Sequence, residues 1–267
     1  MTPRGPTFLG AYSVGMYTFL YAPIVVLIVF SFNNAEQTAT WGGLTLRWYA
    51  QLLKNSAVWD AAWVSARVAV ATTVTATVLG TAAALGMRFA GQRLLRFAQP
   101  LILLPIVLPE IVMAVSLLGL FGALGIQLDF WTVWFAHVVF STSYVIVVVR
   151  ARLSGMDTTL EEAAADLGAT PWVTFWTVTL PQLAPAVVSG ALLVVTLSID
   201  DYLITSFVSG VGNTTLPLQI YAMVRKKVSP EINAICTLLL LFTTAMIAIA
   251  WLIERQSSNT RVSKSTT

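Results

Sequence analysis

Charge is scarce in this 267-residue chain: 10% of its residues are Asp, Glu, Lys or Arg, against 57% that are hydrophobic. With a mean hydropathy of +0.79, that balance lies outside the range of soluble domains and inside that of polytopic membrane proteins. Cysteine and histidine are each down to a single residue, Cys236 and His137. A lone cysteine forms no internal disulfide, and at the start of an apolar run Cys236 reads as a small buried hydrophobe. One histidine, one cysteine and no metal-spaced cluster argue against an intramembrane enzyme. The chain also lacks a GxxxxGK[ST] phosphate loop, so any ATP chemistry belongs to a partner. The net charge of +3 comes from scattered anchoring residues, with neither a nucleic-acid stripe nor a polybasic lipid-binding run.

What the chain has is apolar length. A membrane span needs roughly 20 apolar residues, and six segments qualify: about Ala11 to Phe32, Val64 to Leu85, Ala98 to Phe121, Phe130 to Val149, Pro185 to Phe207, and Ala234 to Ile253. The expected fold is therefore all-α, a single six-helix membrane domain with both termini on one side. The first segment is too long for a signal-peptide core and has no cleavage signal, so it is expected to be retained. Basic residues next to spans favour the cytoplasm. With the N-terminus inside, Arg4, Arg88, Arg93, Arg96, Arg150, Arg152, Arg255, Arg261 and Lys264 fall on the inner side, and Arg47, Lys54, Arg225, Lys226 and Lys227 on the outer. Both termini are then cytoplasmic, with the Arg225-Lys226-Lys227 cluster as the exception.

Between the first two spans, Trp41, Trp48 and Tyr49 suit an interfacial aromatic belt. The Met87 to Phe97 and Gly122 to Asp129 links are short and turn-like. Two connections are long enough to carry function: Arg150 to Ala184 on the inner side and Ser209 to Asn233 on the outer. The outer one contains a helix-compatible stretch, Leu216 to Val228, suited either to gating a pathway or to resting on headgroups with its basic residues snorkelling. The Ser/Thr-rich tail, Gln256 to Thr267, is expected to be disordered.

The inner loop carries the sharpest pattern. Asp157 or Thr158 can cap a helix, Glu161 and Glu162 suit its first turn, and an Ala run of high helix propensity follows. Gly168 supplies a stop, since a left-handed cap is cheap only for glycine. Pro171 opens a second helix with an apolar side formed by Trp172, Val173, Phe175, Trp176 and Val178, which Leu180-Pro181 is expected to end. A plain connector would also need ordered structure. It has no need of an alanine face flanked by carboxylates, which suits close docking into a groove of another protein.

The run Glu162-Ala163-Ala164, three residues, Gly168, nine residues, Val178, then Leu180-Pro181 resembles the EAA loop of bacterial ABC-importer permeases, with Val178 where that family more often has Ile. The resemblance implies a type I importer-like fold in which Glu162, Ala163, Ala164, Asp166, Gly168, Leu180 and Pro181 form a coupling loop against an ATPase subunit. A wider set, including Leu108-Pro109-Glu110, Ala136-His137, Ser198-Ile199-Asp200-Asp201 and Ser229-Pro230-Glu231, is similar to the second permease subunit of spermidine/putrescine importers, along nearly the whole chain. Related permeases for other solutes share several of these pieces. That resemblance implies a core over about 60–253 with a peripheral first helix. It further implies no cofactor bound by this chain, ATP and Mg in two partner ATPase subunits, a second permease subunit, an external solute-binding protein, a polyamine substrate and residence in the bacterial inner membrane.

Ionisable groups inside spans cost about 2.5 to 3.5 kcal/mol each at mid-helix on insertion scales, so they are functional candidates by default. At 1.5 Å per residue, Glu110 lies roughly 18 Å into the third span, Asp200 and Asp201 roughly 22 Å up the fifth, and His137 roughly 10 Å down the fourth. Three carboxylates at overlapping depth suit a route for a multiply charged amine. Asp200 and Asp201 point about 100° apart, so the two do not face one lumen equally. The plainer alternative is that these residues cap broken helices or pair with His137 and the basic cluster, and His137 itself reads as an interhelical hydrogen-bonder. Pro100, Pro105 and Pro109 are expected to kink the third span. A gradient-driven secondary transporter using the same carboxylates is a further alternative, but it leaves the inner loop unexplained, and no inverted repeat is visible.

Overall fold

The computed structural model describes residues 7–36, 40–227 and 229–264, with side chains from 9 to 249. Arg4, Val228 and residues 265–267, which entered the sequence reading, lie outside them. Among the described residues all regular elements are helical. Five helices are long and apolar enough to cross a bilayer: Leu9–Phe30, Ser56–Arg88, Phe130–Ser154, Pro171–Asp200 and Pro230–Ile249. The bent pair Gln92–Val107 and Glu110–Ala123 makes a sixth crossing if taken as one. The chain divides into two compact units, residues 1–59 with 219–242, and residues 60–218 with 243–267.

In the first unit, α1 (Thr7–Phe30) is apolar throughout and buries none of its spanning window within the chain. Asn33 organises the turn that follows. Its amide donates to the Thr40 carbonyl at 2.6 Å, while its side-chain oxygen accepts from the Gly42 and Ala35 N–H groups at 2.7 and 3.2 Å. The short helix α2 (Arg47–Leu52) docks there through Trp48, whose ring N–H donates to the Asn33 carbonyl at 2.6 Å. Trp48 is thus buried rather than part of an interfacial belt, whereas Trp41 stays half exposed. The belt expectation fails at Trp48 because a partnered indole N–H can be buried without penalty.

The second unit holds most of α3 (Ser56–Arg88), then α4 (Gln92–Val107), α5 (Glu110–Ala123), α6 (Phe130–Ser154), α7 (Thr159–Asp166), α8 (Pro171–Thr174), α9 (Leu180–Asp200) and α10 (Leu203–Val208). Two further helices complete the chain, α11 (Leu216–Lys226) and α12 (Pro230–Lys264). The central rod is α6, with 61% of its spanning window buried, against 33% or less for the other long helices. It begins at a capping box in which the Asp129 carboxylate accepts from the Trp131 and Thr132 N–H groups, worth about 1 kcal/mol. Close approach along α6 depends on small residues. A Cβ on Gly80 of α3 would lie 2.6 Å from the Val145 side chain, while Gly190 of α9 leaves ordinary contact distance to the same valine. Around these contacts sit two apolar clusters, one of Val68, Met113, Phe121, Val133 and Ile204, the other of Ala76, Val145, Val149, Leu183 and Val194.

Two further expectations need correction. The third span is broken rather than kinked: α4 and α5 meet at 107°, with Leu108 and Pro109 both extended. Proline disfavours the helical region for the residue before it, so the break falls at Leu108, while Pro100 and Pro105 stay within α4. Glu110 therefore opens α5, and a depth reckoned along one straight rod does not apply to it. Secondly, Leu180-Pro181 does not end a helix. Helical geometry is continuous from Pro171 to Asp200 through a π turn, Phe175–Thr179, in which the Leu180 N–H reaches the Phe175 carbonyl. The wider turn relieves the clash that a proline ring makes with the preceding turn. The chain breaks instead at Asp201–Tyr202, where Asp201 is extended, so the expected span to Phe207 is two helices. Helix α12 is described through Gln256 to Lys264. No Gly or Pro interrupts that stretch, and helix propagation adds one hydrogen bond per residue fixed.

Candidate functional site: an exposed inner loop and an acidic cavity

The inner loop folds as helix, glycine, helix. Asp157 accepts from the Thr159 N–H at 3.0 Å, which holds its carboxyl below the usual aspartate value. At the other end of α7 the Ala169 N–H bonds to the Ala164 carbonyl and the Gly168 N–H to that of Ala165, with Gly168 at φ +80°. This is the Schellman arrangement, and its left-handed position is occupied by the residue that tolerates it. Thr170 then caps α8 by accepting from the Val173 N–H, with Pro171 at the first helical position. Of the residues singled out in sequence, Glu162, Ala163, Asp166, Gly168 and Pro181 are exposed and Ala164 and Leu180 are partly so. Leu167, Trp172 and Trp176 add exposed apolar surface beside them.

Sequence reasoning gave Glu161 only a place in the first turn. Its carboxylate is held by both arms of the Arg88 guanidinium, at 2.9 and 2.6 Å, and by the Thr179 hydroxyl at 2.7 Å. The Arg88 contact is the chief reason its carboxyl lies below the ordinary glutamate value of 4.5. The available signal was Arg88 itself, a bidentate donor at the end of a long span. Nearby, the Arg152 Nε donates to the Gln182 carbonyl at 3.2 Å.

The two helix breaks meet in a cavity of about 390 Å³, lined by Glu110 and Met113 of α5, Phe140 and Tyr144 of α6, Thr196, Leu197 and Asp200 of α9, and Asp201 to Ile204. All three predicted carboxylates therefore share one site, but they are not equivalent. Asp201 is committed: its Oδ2 accepts from the Thr205 N–H at 2.8 Å and hydroxyl at 2.7 Å, and lies 3.3 Å from His137 Nε2. His137 is fully buried, with Nδ1 2.8 Å from the Ser198 hydroxyl and Nε2 3.0 Å from the Thr205 hydroxyl. Hydrogen bonds linking Ser198, His137, Thr205 and Asp201 satisfy each group, so Asp201 caps α10 and ties the break together. This is the arrangement that the capping alternative describes.

Glu110 and Asp200 differ. The described ion pairs join Arg88 to Glu161, His137 to Asp201 and Lys227 to Glu36, and include neither. Both are exposed while lining the cavity. Glu110 sits at the N-terminus of α5, where the helix dipole favours a carboxylate. Asp200 is the last residue of α9, where the dipole opposes one. Phe140, Tyr144 and Tyr202 place aromatic rings in the same wall. Phe140 and Tyr144 are four apart on α6, as Thr196 and Asp200 are on α9; that spacing was the overlooked sequence signal.

Membrane-crossing helices, a cavity at two broken segments and an exposed helix–glycine–helix loop together define a transmembrane permease subunit. The chain belongs to the family described as binding-protein-dependent transport system inner membrane component, whose model matches residues 76–258. It is 42% identical over 257 residues to the putrescine transport system permease protein PotI of Escherichia coli (strain K12), covering 92% of this chain and 90% of that one. It is 40% identical to the spermidine/putrescine transport system permease protein PotC of the same strain, covering 95% of this chain and 96% of that one. Among solved structures it resembles a chain from a bacterial ABC transporter that imports the acidic polysaccharide alginate. The TM-score there is 0.69 at 16% identity, over 92% of this chain and 95% of that one. The fold is that of the type I ABC-importer permeases, and the protein is a multi-pass membrane transport subunit rather than an enzyme.

Proposed function

We propose that this chain is one membrane half of an ATP-driven importer that carries a polyamine, putrescine or spermidine, into the cytoplasm by alternating access. The observation that carries the substrate class is the pair of uncommitted carboxylates, Glu110 and Asp200, in a cavity walled by Phe140, Tyr144 and Tyr202. Carboxylates and aromatic faces attract alkylammonium groups by Coulomb and quadrupole terms together. The named relatives transport the same class of cation. The exposed loop from Glu162 through Gly168 to Pro181 supports docking against a separate ATPase subunit. Closure of two such subunits around ATP and Mg would move the loops of this chain and of a second permease, while a solute-binding protein delivers substrate from outside. The chain itself binds no cofactor in this scheme, and both termini face the cytoplasm of the inner membrane.

The test is to purify the protein with its neighbours, reconstitute the complex and ask which amine stimulates ATP hydrolysis. Putrescine or spermidine should stimulate it, and replacing Gly168 by valine should abolish that stimulation by disrupting the Schellman cap. Uptake that persists with no ATPase present would sink the proposal in favour of a gradient-driven carrier, and stimulation by an anion alone would reassign the cargo.

A further inference from the structure

None of the eight side chains of α7 is buried, so this helix has no apolar anchor of its own through which to push on the bundle. The side-chain hydrogen bonds that reach from it to α3 and to the π turn converge on one carboxylate. Glu161 takes both guanidinium arms of Arg88, the last residue of α3, and the hydroxyl of Thr179, the last residue of the π turn that leads into α9. A fork-to-fork pair fixes direction as well as distance, which a lysine ammonium would not. Thr179 is buried, and the pair's side chains are 29% and 18% exposed, so the third bond ties a half-wet ion pair to the interior. Exposed ion pairs contribute little to stability, so orientation is what this geometry supplies. Glu162, the next residue, points about 100° away and is exposed.

We infer that Glu161, gripped by Arg88 and Thr179, is the positioning residue that passes movement of the coupling loop into α3 and α9 at once. It is a duty separate from the exposed face formed by Glu162, Ala163, Asp166 and Gly168. This rests on the proposed coupling role of the loop. It divides two adjacent glutamates by function: one faces the partner, and the other faces the bundle. Without the tie, the loop rides with the ATPase but drags only on its own flanking backbone, so ATP is hydrolysed with little uptake.

The experiment uses the whole reconstituted complex with its solute-binding protein and putrescine, and reads uptake per ATP hydrolysed. Arg88→Ala and Glu161→Gln should each lower that ratio by about fivefold or more, the low end of allosteric coupling between sites. Arg88→Lys should fall between wild type and Arg88→Ala, and the double exchange Arg88→Glu with Glu161→Arg should recover the ratio to within about twofold of wild type. Both single variants keeping the wild-type ratio would overturn the inference. So would a double exchange that assembles yet stays uncoupled, which decides the matter even where a single variant fails to fold. A photocrosslinking amino acid in place of Leu167, 89% exposed, reports loop docking independently. Failure to crosslink the wild-type loop to the ATPase subunit overturns the coupling role itself, whereas crosslinking with an unchanged ratio overturns the tie alone.

Discussion

Replacing Asp200 by asparagine removes a charge while keeping shape, and the neighbouring Asp201→Asn variant provides the contrast. An ammonium about 4 Å from a carboxylate gains roughly 4 kcal/mol at an effective dielectric of 20. Desolvation of both groups returns most of it, leaving about 1.5 to 3 kcal/mol for a charge-assisted contact. Asp200 is exposed at the cavity wall, so water screens it and the low end applies. The half-saturating concentration for putrescine should then rise about tenfold, with assembly unchanged. Asp201→Asn should act the other way: it weakens the acceptor that holds the Thr205 N–H and hydroxyl beside His137 inside the break, so less complex is recovered and it melts earlier, while the concentration dependence of what survives is kept. The assay is labelled putrescine uptake by proteoliposomes at saturating solute-binding protein, alongside thermal melting of each complex. An unchanged half-saturation in Asp200→Asn, or a shifted one in a fully stable Asp201→Asn, would refute the division between the two aspartates.

Two other perturbations have expected outcomes. Gly210 adopts φ +59°, and a Cβ there would run into the Leu128 carbonyl oxygen, a backbone atom that cannot swing aside. Gly210→Ala should therefore cost about 2 to 4 kcal/mol, and a melting temperature within about 2 °C of wild type would contradict that packing. The Glu161 carboxyl is held below its ordinary value of 4.5, so its stabilising share is fully present above that pH and fades as pH falls through the depressed value. Because the pair is partly exposed, the share is a few tenths of a kcal/mol. The melting difference between wild type and Glu161→Gln should shrink on acidification below 4.5, and a difference that grows would contradict the assignment.

Much of the fold was legible because bilayer physics is severe: apolar length alone locates the five long apolar helices and the bent pair that makes a sixth if taken as one, and Gly168 and Pro171 mark the loop's turn and restart to the residue. The breaks were harder. Proline content announced trouble in the third span, yet whether Pro100, Pro105 or Pro109 takes the bend depends on how α4 and α5 pack, and local preference carries no such information. The π turn left no local mark, so Pro181 read as a terminator. In the cavity the residue types pointed to the right neighbourhood. Which aspartate was free depended on Thr205 and His137, which come to Asp201 from α10 and α6. Arg88 and Glu161 lie 73 residues apart, beyond the reach of any periodicity.

The π turn lets Pro171 and Asp200 stand at opposite ends of one unbroken 30-residue helix. At 1.5 Å per residue that shaft is about 45 Å long. Tilting it by about 5° about its loop end would carry the Asp200 carboxylate sideways by about 4 Å, roughly the reach of one ammonium contact. In the proposed scheme, with Asp200 holding the cargo, a wider hydrogen-bonded turn at the position of a proline would act as the weld in a crank, and a small rotation would loosen that grip with no helix hydrogen bond broken along the way.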